Sequence, residues 1–589
     1  MEDKRTAIAV FLCIVVIMVY SELFLAPATR PVPNAPVTQS MPQASQSSGT
    51  SVTGGSVPQV IQAPAAGDVV SVPFAAVSTN QGRFPNPSEL QAAGSLTVRT
   101  PQGLIQIALL GGRLESFLLN DYRSKLNEDA RVDMVSKSEG APLPLGVSVG
   151  NVRDDFVVYQ LASVSEGVER ENNTFTLVAD ASLRLVLQGT LPNKIGIQKI
   201  ITFKPGTYLF DVEVNLSAPS PSGEKIALEW AHYVSDAKMI DQFDALQFTH
   251  LNDLGKLKHL MIQEVDKEAK NSGRPVQDLG PNRWVSFGGK YFMATVVPQE
   301  AVTSFPIGVE KNVFFVRAPG APQSAKYSVY AGPKDSDVLG GLGFELHRNV
   351  DLGWFSFLAF PLIWLLRSFH NLLGNWGLAI ILLTLVIKAL FLPLTKASFQ
   401  SMKAMQDLQP EIKALRERIK DATQLNQEMM ALYKKRGVNP MGGCFPILIQ
   451  LPVFLGLYNA LLYSIELRHA PFALWINDLS AAEALHVFGL PVPVMVLLMG
   501  ASMYVQQATT PMTGDETQRK VMLMMPIIFT VMFVIFPFPA GLVLYWLVNN
   551  VISIVQQVTL RTSRSVTPFQ ATIVASVLIF AFGWCLTII

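Results

Sequence analysis

Two kinds of hydrophobic pattern divide the chain. Between about residues 95 and 335, apolar and polar residues alternate one by one. In TYLFDVEVNLS, Phe210, Val212, Val214 and Leu216 fall on one face while Asp211, Glu213, Asn215 and Ser217 fall on the other. That period of two is the pattern of a half-buried antiparallel strand. RWVSF and KYFMATVV flank Gly288-Gly289, which reads as a two-residue hairpin turn. SLTVRT, FTLVAD, SLRLVL, NVFFVRA and AKYSVYA repeat the alternation, so residues 93–340 predict a large β-sandwich.

From residue 350 the pattern changes to long apolar runs. Spans are expected at about 374–394, 442–464, 490–507, 521–537 and 541–559. Residues 352–372 mix aromatic and apolar side chains with Arg367 and His370, as suits a helix lying in the membrane interface. Near the start, residues 6–25 form another apolar run behind Lys4 and Arg5. Residues 1–25 therefore read as an N-terminal anchor helix with its start in the cytoplasm. Ala26-Pro27-Ala28 resembles a signal-peptidase site, which leaves a cleaved signal peptide as the alternative. Either reading exports the next two segments, a Pro/Ser/Ala-rich linker at 26–92 and then the sandwich.

The loop between the first two core spans carries Lys396, Lys403, Lys413, Arg416, Arg418, Lys420, Lys434, Lys435 and Arg436, which places it in the cytoplasm. Its apolar positions, Phe399, Met402, Met405, Leu408, Ile412, Leu415 and Ile419, then Leu425, Met429 and Leu432, recur at three and four, predicting a helical hairpin over 397–436. Its methionines, Met430 included, suit either a hairpin core or an adaptable apolar surface. The fold class is thus a polytopic α-helical membrane core, a five-helix bundle plus the anchor helix, with a large exported β-sandwich. Residues 566–589 add a further apolar segment, just long enough to span.

Composition agrees: 49% of the 589 residues are hydrophobic and 15% charged, which describes an integral membrane protein. A net charge of +1 gives no reason to expect a specific nucleic-acid partner. Cys13, Cys444 and Cys585 all lie in apolar segments and form no metal or disulfide framework. His232, His250 and His259, near Asp241, Asp244 and Glu264, have no triad or metal-ligand spacing, and there is no G-x-x-x-x-G-K-[ST]. No catalytic residue, metal or cofactor is expected.

The residue out of place is Lys388, inside AIILLTLVIKALFLPLTKA. A lysine near mid-bilayer costs about 2.5–3.5 kcal/mol. Eight residues separate it from Lys396, about 12 Å along a helix, a depth that snorkelling recovers in part. Thr384 lies one turn earlier on the same face. Gln450, Asn459 and Ser464, then Gln506 and Gln507, then Asn549, Asn550, Gln556 and Gln557 put further polar groups in the other spans. Interhelical hydrogen bonds account for such groups one at a time. Together with a cation that has no carboxylate in the apolar cores, they suit a cavity that admits water.

Three runs carry a family likeness: GNWGLAIILLTLVIKALFLPLTKASFQSMKAMQDLQPEI, QEMMALYKKRGVNPMGGCFPILIQLPVFLGLYNALLYSIELRHAPFALWINDLS and MPIIFTVMFVIFPFPAGLVLYWLVNN. They resemble the bacterial YidC membrane-protein insertases (the YidC/Oxa/Alb family) over residues 350–560. The anchor, linker and large exported domain resemble the Gram-negative form by layout. The likeness implies an inner-membrane insertase and chaperone, working alone or with the Sec translocon through a groove open to cytoplasm and lipid. The implied partners are newly made membrane proteins, the lipid bilayer, the Sec translocon and the ribosome, with residues 26–350 in the periplasm. The family's groove cation, usually arginine, falls on Lys388 and its polar neighbour on Thr384. Its aromatic pair falls on Tyr545 and Trp546 and its chain-receiving hairpin on 397–436; Gln450 and Asn549, read above from their place in the apolar spans, join these as groove residues.

Two departures stand out. Lysine keeps the charge of arginine but loses the planar fork. The segment 571–589 stands where a basic tail for ribosome contact would be. Two other readings remain at this level: a secondary transporter or channel built on Lys388, which would call for internal repeats, and a carbohydrate-binding exported domain on a membrane anchor.

Overall fold

The computed structural model describes residues 83–588 apart from 127, 166–167, 178–180, 221–222, 237–243, 274–275, 439–444, 511–515, 537 and 563–567. The predicted anchor helix and most of the linker lie outside the described residues. The end of the linker is folded: Pro87–Ala93 is a helix whose cap residue Asn86 accepts from the Glu89 N–H at 2.9 Å, while Glu89 accepts from the Asn86 N–H at 2.9 Å. This is a capping box, hidden in the sequence by the Pro- and Ser-rich residues around it.

The alternating segment folds into three sheets. The largest is antiparallel throughout and runs Leu257–Met261, Gln247–Asn252, Asn282–Gly288, Phe292–Pro298, Ser324–Pro333, Leu209–Leu216, Gly196–Phe203, Leu183–Thr190, Gln160–Val164. Val276–Asp278, Pro306–Glu310, Val313–Pro319, Ile226–Tyr233, Gly146–Val149 and Val152–Arg153 form the second. The third holds Arg131–Asp133, Arg113–Arg123, Gly103–Ala108, Ser95–Arg99, Thr174–Thr176 and Glu169–Glu171. Side chains from all three share one core. In Leu209–Leu216, Phe210, Val212, Val214 and Leu216 are buried and the intervening polar residues half-buried, as the period requires.

The hairpin between Asn282–Gly288 and Phe292–Pro298 corrects the sequence reading. Its tip is Lys290-Tyr291, closed by the Gly289 N–H donating to the Phe292 carbonyl at 3.0 Å. The two glycines are there for space. A Cβ on Gly288 would lie 2.4 Å from the Phe292 oxygen, and one on Gly289 2.3 Å from Asp244 Oδ1.

Between the sheets lies a cluster of buried charge: Arg113, Arg153, Lys199 and Arg317 with Asp154, Asp155 and Glu229, none more than 10% exposed in its side chain. Lys199 Nζ donates to Asp154 Oδ2 at 2.8 Å and to the carbonyls of Gly111, Leu145 and Gly112 at 2.9, 2.9 and 3.1 Å. The histidines serve packing and local bonds instead of a shared site. His250 meets Asn282 Oδ1 at 2.7 Å, His259 meets Thr249 at 3.1 Å, and His232 packs on Phe287.

The C-terminal part is helical: α1 (Ser356–Leu373), α2 (Trp376–Leu390), α3 (Leu392–Asp407), α4 (Gln409–Arg418), α5 (Ala422–Arg436), α6 (Phe445–Tyr463), α7 (Val494–Thr509), α8 (Glu516–Ile535), α9 (Ala540–Thr562) and α10 (Pro568–Ile588). By length and composition, α1, α9 and the bent pair α2–α3 could each cross a membrane. In α1, Arg367 pairs with Asp337 at 2.6 Å and with Glu466. These carboxylates partner the cation of a helix that the sequence suggests for the interface and that is also long and apolar enough to span. Its Trp354-side end and outer face are apolar and open, with Phe357 and Trp364 67% and 69% exposed.

Gly374 ends α1 in a left-handed conformation, and Asn375 caps α2 by accepting from the Leu378 N–H at 3.1 Å. Gly377 lets α2 meet the loop after α6, since a Cβ there would lie 2.0 Å from the Phe472 ring. The helix expected to reach residue 394 stops at Leu390, and α3 leaves at 60°. Pro393, at the second position of α3, disfavours a continuous helix through Phe391-Leu392. Pro410 breaks the hairpin's first arm in the same way, so the expected two-helix hairpin has three helices, with Arg436 bonded back to Glu411 at 2.6 Å. α9 is central and packs against α2, α6, α7 and α10. α10 also packs on α2: a Cβ on its Gly583 would lie 2.8 Å from Ile381. Arg468, in the loop after α6, donates to the carbonyls of Arg123 and Ser124 at 2.6 and 2.9 Å and lies over the Phe292 ring, which joins the sheets to the helices.

Candidate functional site

The centre of the core is a short polar chain between α2 and α9. Lys388, 8% exposed near the end of α2, donates to Ser553 Oγ on α9 at 2.7 Å. Ser553 donates its own proton to the Asn549 carbonyl at 2.9 Å, one turn back. On the next side of α9, Gln450 Nε2 of α6 donates to Asn549 Oδ1 at 3.2 Å. Lys388, Asn549 and Gln450 are therefore brought together, with Ser553 as the link. No carboxylate faces Lys388 among the described residues. Its charge is met by one hydroxyl, which is little for a buried ammonium.

Ser553 is the residue that sequence reasoning missed. A lone serine in a helix usually bonds its own turn and attracts no notice. The available signal was its spacing, four residues beyond Asn549 and so on the same face.

The other expected groove residues are placed differently. Thr384 is fully buried and its hydroxyl donates to the Ile380 carbonyl at 2.7 Å within α2. Tyr545 is 2% exposed, beside Gln450, and among the described residues its hydroxyl has no hydrogen bond of good geometry. Trp546, the next residue, turns away into an aromatic group, 5.0 Å from Phe454 and 5.3 Å from Phe533, edge to face in both cases. Four of the other amides make bonds beyond their own helix. Asn550 donates to Ser502 of α7 at 3.0 Å, Gln557 accepts from Thr509 at 2.8 Å, Gln556 donates to Thr572 of α10 at 2.8 Å, and Asn459 donates to the Leu352 carbonyl at 2.8 Å.

In the hairpin the methionines differ in burial. Met405 is buried with Phe399, Leu408 and Ile412, Met402 and Met429 are half-buried, and Met430 is 59% exposed. Among the described residues no cluster of His, Cys, Asp and Glu could hold a metal ion.

Comparisons with known proteins place the chain in a family. Residues 95–365 match the model of the YidC periplasmic domain, and residues 368–566 match that of the 60Kd inner membrane protein. A "Membrane protein insertase YidC" of Syntrophus aciditrophicus is 37% identical over 585 residues, covering 94% of this chain and 98% of that protein. One of Geobacter metallireducens is 34% identical, covering 94% and 97%. A crystal structure of an active YidC insertase with its first transmembrane domain resolved aligns over 83% of this chain and 96% of its own, at 18% identity and a TM-score of 0.35. With a sheet-rich exported domain, a helical core and two relatives matched almost end to end, the chain belongs to the YidC family of membrane protein insertases.

Proposed function

We propose that this insertase works through a hydrophilic groove at the α2–α6–α9 junction, open to cytoplasm and lipid, in which Lys388 holds the polar flank of an incoming segment. The observation that carries the reading is the burial of Lys388 against a hydroxyl alone. A passing acidic or polar flank, or water, supplies the counterpart that the resting protein lacks. Asn549, Gln450 and Tyr545 add polar atoms along the same path. The hairpin receives the incoming chain, with Met430 on its open surface. The client's apolar segment then moves into lipid, and burial of its own roughly 20 apolar residues drives release without hydrolysis. The basic loop 396–436 supports a cytoplasmic hairpin, a cytoplasmic N-terminus and a periplasmic position for residues 26–350. The Sec translocon and the ribosome are partners on the same reading.

The test is insertion of a small single-span client with an acidic exported flank into liposomes that hold only the purified protein, scored by protease protection. The wild type is expected to protect the client, and Lys388→Ala to lose most of that protection. Equal protection by both would leave Lys388 a snorkelling group. Absence of protection by folded wild type would overturn unaided insertion.

A second check addresses water. In a dry site, Ser553→Ala strands the Lys388 ammonium at about 1–3 kcal/mol. In a wet groove a water replaces the hydroxyl at small cost. The expected result is a thermal midpoint of the purified protein in detergent close to that of the wild type, and a large drop would show the site to be dry.

A further inference from the structure

The sequence reading begins a span at residue 490, but α7 starts only at Val494. The residues before it, Leu485–Val487 and Leu490–Val492, form a two-stranded antiparallel hairpin, with Val487 paired to Leu490. Its turn is Phe488-Gly489, both left-handed at φ 52° and 81°. Such a turn asks for Asn or Gly at its first position, and a bulky aromatic there is strained. The side chain so placed is also fully exposed: Phe488 is 101% open, Leu490 68% and Val487 38%. Neither the backbone nor water favours a phenylalanine at this tip.

The base, by contrast, is fixed. Glu483 is 8% exposed, accepts from Trp475 Nε1 at 2.7 Å, and accepts the Met495 N–H at the start of α7. A two-stranded hairpin on its own is marginal in water, yet this one projects from a rigid support. From Ala484 through Gly514 the chain has no Asp, Glu, Lys or Arg. The exposed apolar tip continues directly into the outward face of α7, where Leu497 and Leu498 are 47% and 50% exposed. Phe488 lies six residues before Val494, so the tip stands within about 20 Å of the point where α7 begins.

We infer that the Val487–Leu490 tip is a membrane-dipping finger whose occupant is the lipid interface on the side where α6 ends and α7 begins. An apolar finger at a span's entry, without Asp, Glu, Lys or Arg, with the exposed His486 in its first strand and continuous with the outward face of α7, is solvated by the headgroup and acyl boundary, about 5–10 Å deep. The strain at Phe488 places the ring foremost.

The test uses the full-length protein in vesicles of phospholipid alone, with Cys13, Cys444 and Cys585 replaced by serine. Spin labels are attached at Phe488→Cys, at Leu490→Cys and, as an aqueous control, at Glu169→Cys, an exposed polar position on an edge strand of the sheet domain. Power saturation then compares access of oxygen with access of a water-soluble nickel complex. Finger labels in the bilayer give an oxygen-to-nickel ratio severalfold above that of the control. Ratios equal to the control at both finger positions would overturn the proposal. So would shielding that arises only after a client or a second protein is added, since the tip would then be a protein-docking surface.

Discussion

Lys388→Glu is expected to reverse the charge preference of insertion: a client with an acidic exported flank falls at least tenfold, and one with a basic flank gains. Two unit charges 4 Å apart interact by about 4 kcal/mol at an effective dielectric of about 20, and tenfold corresponds to about 1.4 kcal/mol. A change from attraction to repulsion therefore exceeds tenfold even when most of the interaction is lost to water. Ser553 keeps one hydrogen bond in the variant by turning its hydroxyl proton from the Asn549 carbonyl to the new carboxylate. A client with an uncharged flank is the control and should change little. The measurement is protease protection of the three clients in liposomes. Equal loss for acidic and basic flanks would sink a charge role for Lys388 and make it a structural tie between α2 and α9.

The sheet domain offers the second large effect. Asp154→Ala is expected to destabilise it by about 3–5 kcal/mol, the usual result of removing one member of a buried ion network. Asp154 is fully buried and accepts from Lys199 at 2.8 Å, Arg113 at 3.2 Å, the Tyr159 hydroxyl at 3.1 Å and the Val147 N–H at 2.9 Å. Alanine leaves all four donors short of an acceptor. Burial already holds the Lys199 amine below its ordinary pKa, with Asp154 acting against that shift. Glu229 shows the opposite balance: burial raises its carboxyl, but Arg153 and Arg317 outweigh it and hold the group well below the usual range. Asp154→Asn keeps an acceptor and should cost less. The check is urea unfolding of the full chain in detergent, monitored by emission of the buried Trp230 and Trp284. A shift under about 1 kcal/mol for Asp154→Ala would mean that solvent or relaxation meets the stranded charges.

These two sites differ in how far the sequence announced them. Lys388 stood out because an apolar run of nearly twenty residues has no ordinary place for a cation, and Asn549 and Gln450 stood out for the same reason. Their mutual contact was not legible, since it depends on the rotation of three helices about their own axes, which hydropathy does not record. Ser553 was invisible because serine is common in helices. In the sheet domain, Lys199 within GIQKIITF and Glu229 within IALEWAHY read as ordinary polar positions of alternating strands. A period of two assigns them to a face, but whether that face meets water or a second sheet is decided by strands distant in sequence. Pro393 and Pro410 were readable as breaks, yet apolar periodicity ran through them and hid the bend. Phe488 was lost by adjacency, because its apolar neighbours merged with the next helix.

On the groove reading, the packing of α10 bears on where a client leaves. Thr572 is bonded to the buried Gln556 of α9, and Gly583 brings α10 close against Ile381 of α2. One flank of α2 and α9, the helices that carry Lys388 and Ser553, is thereby covered by α10. On that reading, a departing segment leaves past α6, on the flank of α2 and α9 that α10 does not cover.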